Sequence, residues 1–128
     1  MKNKKILFVC RANHFRSTVA EQILKNLRKD LVVRSAGLEV KKPHRPSKNA
    51  WRNAANSGIK IRWHLCRQLD KKMAKGFDKI YVFENEHKKL IENKFPAAKG
   101  NVFVIHAHDD LKGKSDEAHK KFIKDMHI

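Results

Sequence analysis

The chain has 128 residues and a formal net charge of +17, because it carries 30 lysine and arginine residues against 13 aspartate and glutamate residues. Its length suits a single domain over residues 1–128. We expect neither a membrane span nor a secretion signal, since every apolar run is too short for either. The two cysteines, Cys10 and Cys66, are too few for a disulfide framework or a cysteine-based zinc site, and they indicate a protein of the reducing cytoplasm.

The positive charge is spread along the whole chain, in pairs such as Lys41-Lys42, Lys71-Lys72 and Lys120-Lys121. No stretch combines a dense basic cluster with interleaved aromatic residues, which is the arrangement of single-strand nucleic-acid binders. We therefore expect no specific nucleic-acid partner. We also expect the protein to be a monomer. Nonspecific binding to polyanions at low salt follows from the net charge.

Strand and helix patterns alternate along the chain. The apolar run over residues 6–9 predicts a strand buried on both faces, and helical spacing of apolar residues continues from Ser17 to about Lys29. Later strands are predicted at residues 31–35, 79–83 and 102–105, and later helices after Ser47, from Asn85 or Glu86, and after Ser115. Helices between successive strands imply parallel pairing with right-handed crossovers, and therefore an α/β fold.

Parallel sheets bind ligands beyond the carboxyl ends of their strands. In this chain that rule gathers Cys10, Ser35, Glu84 and the loop at residues 106–111 at one edge. The loop after the first strand would aim backbone N–H groups and the positive end of a helix dipole at one point. With the Cys10 thiol at one end and the Arg16 guanidinium at the other, this loop predicts chemistry on a phosphate-like oxyanion.

The residue types at the two ends of this loop suit phosphate transfer. A thiolate at Cys10 is a strong nucleophile that neighbouring positive charge stabilises, and the planar fork of Arg16 can grip two phosphate oxygens. The Ser17 hydroxyl can donate a hydrogen bond to the sulfur, and water would hydrolyse the resulting phosphocysteine. The alternative is that Cys10 is only a small apolar residue buried at a strand end.

The order of the motifs resembles that of the low-molecular-weight protein tyrosine phosphatases. The matching positions run through essentially the whole chain: Ile6–Cys10, Asn13, Arg16-Ser17, Ala20-Glu21, Ser35–Gly37, Gly58-Ile59, His64, Arg67–Leu69, Asp78–Ile80, Asp110, Gly113 and Ser115. The resemblance implies a three-layer α/β sandwich with a four-stranded parallel sheet flanked by helices and a phosphate-binding loop after the first strand. It also implies hydrolysis of phosphomonoesters with neither a metal nor another cofactor.

The resemblance further implies roles for individual residues. The predicted phosphate-binding loop consists of Arg11, Ala12, Asn13, His14, Phe15, Arg16 and Ser17. The predicted bracing residues of that loop are Asn13, Ser17, Ser35 and His64. Asp110 is the expected general acid, although Leu111 replaces the proline that follows it in the family pattern, and Asp109 is a rival. The expected substrate is a phosphorylated protein, carrying phosphotyrosine or phosphoarginine, or a small phosphomonoester, and inorganic phosphate or sulfate could occupy the loop.

Two further departures from the family pattern lie in the loop, and two other functions stay open. Phe15 stands where many relatives carry a second cysteine able to form a disulfide with the nucleophile, and Ala12 replaces a glycine. A thiol-dependent arsenate reductase is one alternative, but it would need two further cysteines and the chain has only Cys66. The other is a catalytically weakened relative that binds polyanions, an alternative that Leu111 keeps open.

Overall fold

The computed structural model describes residues 4–13, 16–56, 58, 64–105 and 116–128. Its strands are β1 (Lys5–Cys10), β2 (Val32–Gly37), β3 (Lys79–Val82) and β4 (Val102–Val104). Its helices are α1 (Arg16–Leu27), α2 (Lys48–Asn56), α3 (Lys71–Gly76), α4 (Asn85–Lys94) and α5 (Asp116–Asp125), with a 3-10 turn at Pro96–Ala98. The strands form one parallel sheet in the order β2-β1-β3-β4, so the predicted α/β fold with a four-stranded parallel sheet is confirmed.

Strand β1 lies at the centre of the sheet and is buried on both faces, as its apolar run predicts. Ile6, Phe8 and Cys10 belong to the core cluster on the side of α1 and α5, where Ile23 and Phe122 also lie. Leu7 and Val9 belong to the cluster on the side of α3 and α4. Successive side chains of a strand point to opposite faces, so the apolar run fills both cores and places Cys10 on the α1 side.

Strand β2 extends further than its sequence pattern predicts. The sequence predicts a strand over residues 31–35, but β2 continues through Gly37, which pairs with Cys10 and bridges Gln68. This extension of β2 requires a glycine at position 37, because a Cβ there would lie 2.9 Å from the Arg11 carbonyl oxygen. Glycine therefore serves here to let β2 approach the start of the loop after β1.

Helix α3 was not predicted from the sequence. It has six residues, and Ala74 is the single buried residue in it, so it shows no apolar periodicity. Its start is fixed instead by Asp70, whose carboxylate accepts a hydrogen bond from the Met73 N–H at 2.8 Å. Within the described parts of the chain, no helix has the length and apolar character needed to cross a bilayer.

Candidate active site

Cys10 lies at the carboxyl end of β1 and is 4% exposed. Its Sγ is 3.0 Å from the Oγ of Ser17, a fully buried residue in the first turn of α1. Ser17 Oγ also accepts a hydrogen bond from Asn13 Nδ2 at 2.8 Å. The side-chain N–H of Asn13 occupies one lone pair of the Ser17 oxygen. The Ser17 hydroxyl can therefore donate its own proton to the sulfur, and this direction of hydrogen bond stabilises a thiolate.

Asn13 is the residue on which the loop is anchored. It is fully buried and adopts φ 57°, a left-handed conformation that asparagine tolerates better than most residues. Its Nδ2 donates to Ser17 and, at 3.0 Å, to the Ser35 hydroxyl. Its Oδ1 faces the Arg67 N–H at 3.2 Å and His64 Nε2 at 3.1 Å. The side-chain amide therefore ties the loop to α1, to β2 and to the segment before α3.

The Asn13 carbonyl oxygen receives three donors. Thr18 Oγ1 lies at 2.9 Å, His64 Nε2 at 3.1 Å and Cys66 Sγ at 3.2 Å. Burial lowers the pKa of His64, which favours a neutral ring that donates through Nε2–H. Burial, with a smaller contribution from the charge of Cys10, raises the pKa of Cys66 to about 11, so its S–H stays protonated and can donate. Cys66, for which the sequence suggested no partner, is part of the loop's support.

A buried carboxylate supports the same network from the other side. Ser35 Oγ accepts from Asn13 and donates to Glu21, whose second oxygen pairs with Lys25 one helical turn later. Glu21 is 5% exposed, and it lies one helical turn after Ser17 on α1. In the sequence, Glu21 is one half of the Ala20-Glu21 match, which by itself predicts no role for the carboxylate. The position of the Glu21 carboxylate on the apolar face of α1 was the sequence signal that it has buried partners, because a buried charge needs them.

Arg16 begins α1 and reaches across to the end of β3. Its Nη2 lies 3.1 Å from Glu84 Oε2, and its guanidinium carbon lies 5.8 Å from the centre of the Phe83 ring. The hydrogen bond from Arg16 lowers the pKa of Glu84, so the carboxylate stays ionised. Glu84 itself was expected at this edge because it follows a strand of the parallel sheet.

The start of the loop is held by β2 and the residues after it. Leu38 N–H and Glu39 N–H each lie 2.8 Å from the Arg11 carbonyl oxygen, and Leu38 N–H also contacts the Cys10 carbonyl oxygen at 3.0 Å. The Arg11 side chain is exposed and lies 3.8 Å from Glu39. The backbone of the loop is thus tied down, while Arg11 presents its charge to solvent.

The structure brings most of the predicted site residues together. Cys10, Asn13, Ser17, Ser35 and His64 form one connected hydrogen-bonded group, and Arg16 begins the helix beside it. His14, Phe15, Asp109, Asp110 and Leu111 lie outside the described residues, so their predicted roles stay predictions. In the described ranges, no three histidine, cysteine or acidic side chains are grouped to hold a metal ion.

Comparison with known proteins gives consistent matches. Residues 5–120 match the family described as low molecular weight phosphotyrosine protein phosphatase. The low molecular weight protein-tyrosine-phosphatase Etp of Escherichia coli K12 is 31% identical over 105 residues, covering 82% of this chain and 71% of Etp. Its counterpart Ptp from Acinetobacter johnsonii is 33% identical over 105 residues, covering 82% of this chain and 74% of Ptp. The crystal structure of the tyrosine phosphatase Wzb from Escherichia coli K30 with sulphate superposes with a TM-score of 0.76 at 26% identity, covering 98% of this chain and 92% of Wzb.

Proposed function

The chain belongs to the low molecular weight phosphotyrosine protein phosphatase family, and on that premise we propose that it is a hydrolase that removes phosphate from tyrosine or arginine side chains of proteins. The observation that carries the proposal is the 3.0 Å contact between Cys10 Sγ and Ser17 Oγ at the loop between β1 and α1. That contact joins a nucleophile to a hydrogen-bond donor where a helix N-terminus favours an anion.

In the first step Cys10 attacks phosphorus in line with the leaving group. The S–P bond forms as the bond from phosphorus to the tyrosine oxygen or arginine nitrogen breaks, and Asp110 gives its proton to the leaving atom. Arg16 and the backbone N–H groups of the loop hold the remaining phosphate oxygens as charge builds on them. The hydrogen bonds that connect Cys10, Ser17 and Asn13 support the assignment of Cys10 as the nucleophile.

In the second step water replaces the sulfur on phosphorus. Asp110, now ionised, takes a proton from the water while the new P–O bond forms and the S–P bond breaks. The electron pair returns to Cys10 as a thiolate, which the Ser17 hydroxyl stabilises as it leaves. Inorganic phosphate is the second product, and the enzyme returns to its starting state with no metal or cofactor in the cycle.

The proposal extends to the setting in which the protein works. A thiol nucleophile needs a reducing compartment, which supports a cytoplasmic location. The family match over residues 5–120 supports a single domain over residues 1–128. We also propose a monomer whose net charge of +17 gives weak, salt-sensitive binding to polyanions without specific recognition of nucleic acid.

The test is hydrolysis of para-nitrophenyl phosphate and of peptides carrying phosphotyrosine or phosphoarginine by the wild type and by Cys10→Ser. We expect the wild type to turn over both the aryl phosphate and at least one peptide, and Cys10→Ser to be inactive. A 32P-labelled substrate should label the wild-type protein on Cys10, and Cys10→Ala, which has no nucleophile at this position, should carry no label. Activity that survives in Cys10→Ser would contradict the mechanism, and arsenate-dependent consumption of thiols would indicate the reductase instead.

Asp110→Asn tests the proton donor, with Asp109→Asn as its matched neighbour. Removing the general acid should slow turnover by about 10²–10⁴-fold for phenyl phosphate. The loss should be smaller for para-nitrophenyl phosphate, whose phenoxide leaves without a proton. If Asp109→Asn shows the larger and leaving-group-dependent loss, the acid is Asp109 and the assignment of Asp110 is wrong.

A further inference from the structure

His87, in the first turn of α4, is a buried titratable side chain to which the proposed reaction gives no part. It is 2% exposed, and its Nε2 lies 3.2 Å from Glu84 Oε2. Its Nδ1 is buried and has no hydrogen-bond partner among the described residues. Buried polar atoms without partners are rare in folded proteins. The contact between Nε2 and Glu84 is therefore the polar interaction that accounts for a histidine at this buried position.

The contact to Glu84 fixes the state of the ring. A neutral ring carries one proton, and only the Nε2–H form can donate to the carboxylate. The alternative form would bury an unpaired Nδ1–H and set the Nε2 lone pair against Oε2. The charges that face the ring come from Glu84 and Glu86 on its own side and from Arg16 and Arg11 across the site, and burial lowers its pKa. His87 therefore acts as a neutral donor.

Glu84 connects His87 to Arg16. The same atom, Oε2, lies 3.2 Å from His87 Nε2 and 3.1 Å from Arg16 Nη2. Glu84 occupies the N-cap position of α4, yet its side chain makes no capping hydrogen bond. Asp70 at the start of α3 shows the usual arrangement, with its carboxylate on the Met73 N–H. The Glu84 carboxylate is thus turned away from its own helix and toward the guanidinium.

We infer that His87 is a positioning residue that orients Glu84, and through it the Arg16 guanidinium that grips phosphate. Nearly half of the Glu84 side chain is exposed, so an ion pair to Arg16 alone would leave the carboxylate free to change rotamer. The contact with the buried His87 ring restricts the rotamer of the Glu84 side chain, and the Phe83 ring packs beside the Arg16 guanidinium. The inference rests on the proposed function, since it takes the role of Arg16 to be binding of the substrate's phosphate.

The test measures binding of inorganic phosphate by titration calorimetry at pH 7, alongside urea unfolding of each variant. His87→Leu removes the donor and should weaken phosphate binding about fivefold, which corresponds to the loss of one hydrogen bond. His87→Gln, which places an amide N–H near the position of Nε2, should bind within about twofold of the wild type. His87→Asn is polar but too short to reach Glu84, and it should behave like His87→Leu; it serves as the donor-free variant if leucine prevents folding.

A double-mutant cycle separates positioning from a structural role. In a Glu84→Ala background, His87→Leu should cause no further loss of phosphate binding, because its effect passes through Glu84. Equal losses in both backgrounds, or equal losses for His87→Gln and His87→Asn, would overturn the inference. A wild-type protein that binds no phosphate would instead refute the proposed function, so the two failures are distinguishable.

Discussion

Ser17 Oγ lies 3.0 Å from Cys10 Sγ and accepts a hydrogen bond from Asn13 Nδ2 at 2.8 Å. The hydroxyl has one proton, and the Asn13 amide leaves it available to the sulfur. The serine is therefore set to stabilise negative charge on sulfur at both steps of the reaction, when the thiolate attacks and when it leaves.

Ser17→Ala should lower the reactivity of Cys10. A hydrogen bond to a charged group contributes about 1.5–3 kcal/mol, so we expect turnover of para-nitrophenyl phosphate to fall by about 10–150-fold. The rate of Cys10 alkylation by iodoacetate at pH 7 should fall as well. Both rates should be measured in a Cys66→Ser background, which leaves a single thiol to react and keeps a donor for the Asn13 carbonyl oxygen. Unchanged alkylation would show that the hydroxyl does not stabilise the thiolate.

Asn13→Ala should destabilise the protein through two separable effects. The variant loses the side-chain bonds to Ser17 and Ser35 and places a Cβ residue without a polar side chain at φ 57°. We expect a loss of about 2–4 kcal/mol in the free energy of unfolding, measured with urea. Asn13→Gly removes the same bonds but tolerates the backbone angle, so it should lose about 1–2 kcal/mol less. Equal losses would mean that the backbone angle costs nothing.

Gly37→Ala should disturb the loop after β1. Its Cβ would lie 2.7 Å from Val40 Cγ2, 2.9 Å from the Arg11 carbonyl oxygen and 3.1 Å from the Ala12 carbonyl carbon. Because two of these atoms are backbone, the loop itself must shift, and we expect a loss of about 1–3 kcal/mol in stability together with weaker phosphate binding. Gly76→Ala is the matched control, since its Cβ would meet nothing within 4 Å. Similar effects at both glycines would contradict the steric argument.

Stability should fall as the pH drops below about 6.5. Burial lowers the pKa of both His64 and His87 from the ordinary value of 6.5, so the unfolded chain takes up protons before the folded one does. The free energy of unfolding therefore decreases from pH 6.5 downward and levels off below the folded pKa values, with a slope of at most about 1.4 kcal/mol per pH unit for each histidine.

Urea titrations between pH 5 and 8 measure this slope. His64→Gln retains a donor near Nε2 but does not titrate, so it should flatten the curve. His127→Asn is the control, because His127 is exposed and asparagine suits its φ of 54°. A curve that stays as steep in His64→Gln as in the wild type would rule out His64 as a source of the pH dependence.

The sequence predicts the centre of this fold well because its signals there are local. Four consecutive apolar residues, Ile6 to Val9, can only be satisfied by cores on both faces of a strand, and that is where they lie. Cys10 and Ser17 lie at the two ends of a short loop, so the residues themselves predict their contact, whereas the bracing role of Asn13 came from the resemblance to the family. Local signals also explain the miss at α3, which has one buried residue and therefore no periodicity to read.

The contacts that the sequence did not reveal join residues far apart in the chain. Cys66 donates to the carbonyl of a residue 53 positions earlier, and its own neighbours give no sign of that partner. His87 falls within an ordinary helical pattern, and only the fold shows that its ring meets a carboxylate aimed at Arg16. Such pairings depend on where helices begin relative to strand ends, which no short window of sequence specifies.

The aromatic contacts of the core tie its completion to the last part of the chain to be synthesised. Phe8 packs against Phe122 with ring centroids 5.9 Å apart, and the Tyr81 hydroxyl donates to the Met126 carbonyl at 2.9 Å. A ribosome that has reached Ile105 has already made every strand of the sheet, yet the face of β1 that carries Cys10 still lacks Phe122. The core on this face therefore cannot be completed until residues 116–128 emerge, so Phe8 and Tyr81 stay without these partners until the last part of the chain has been made.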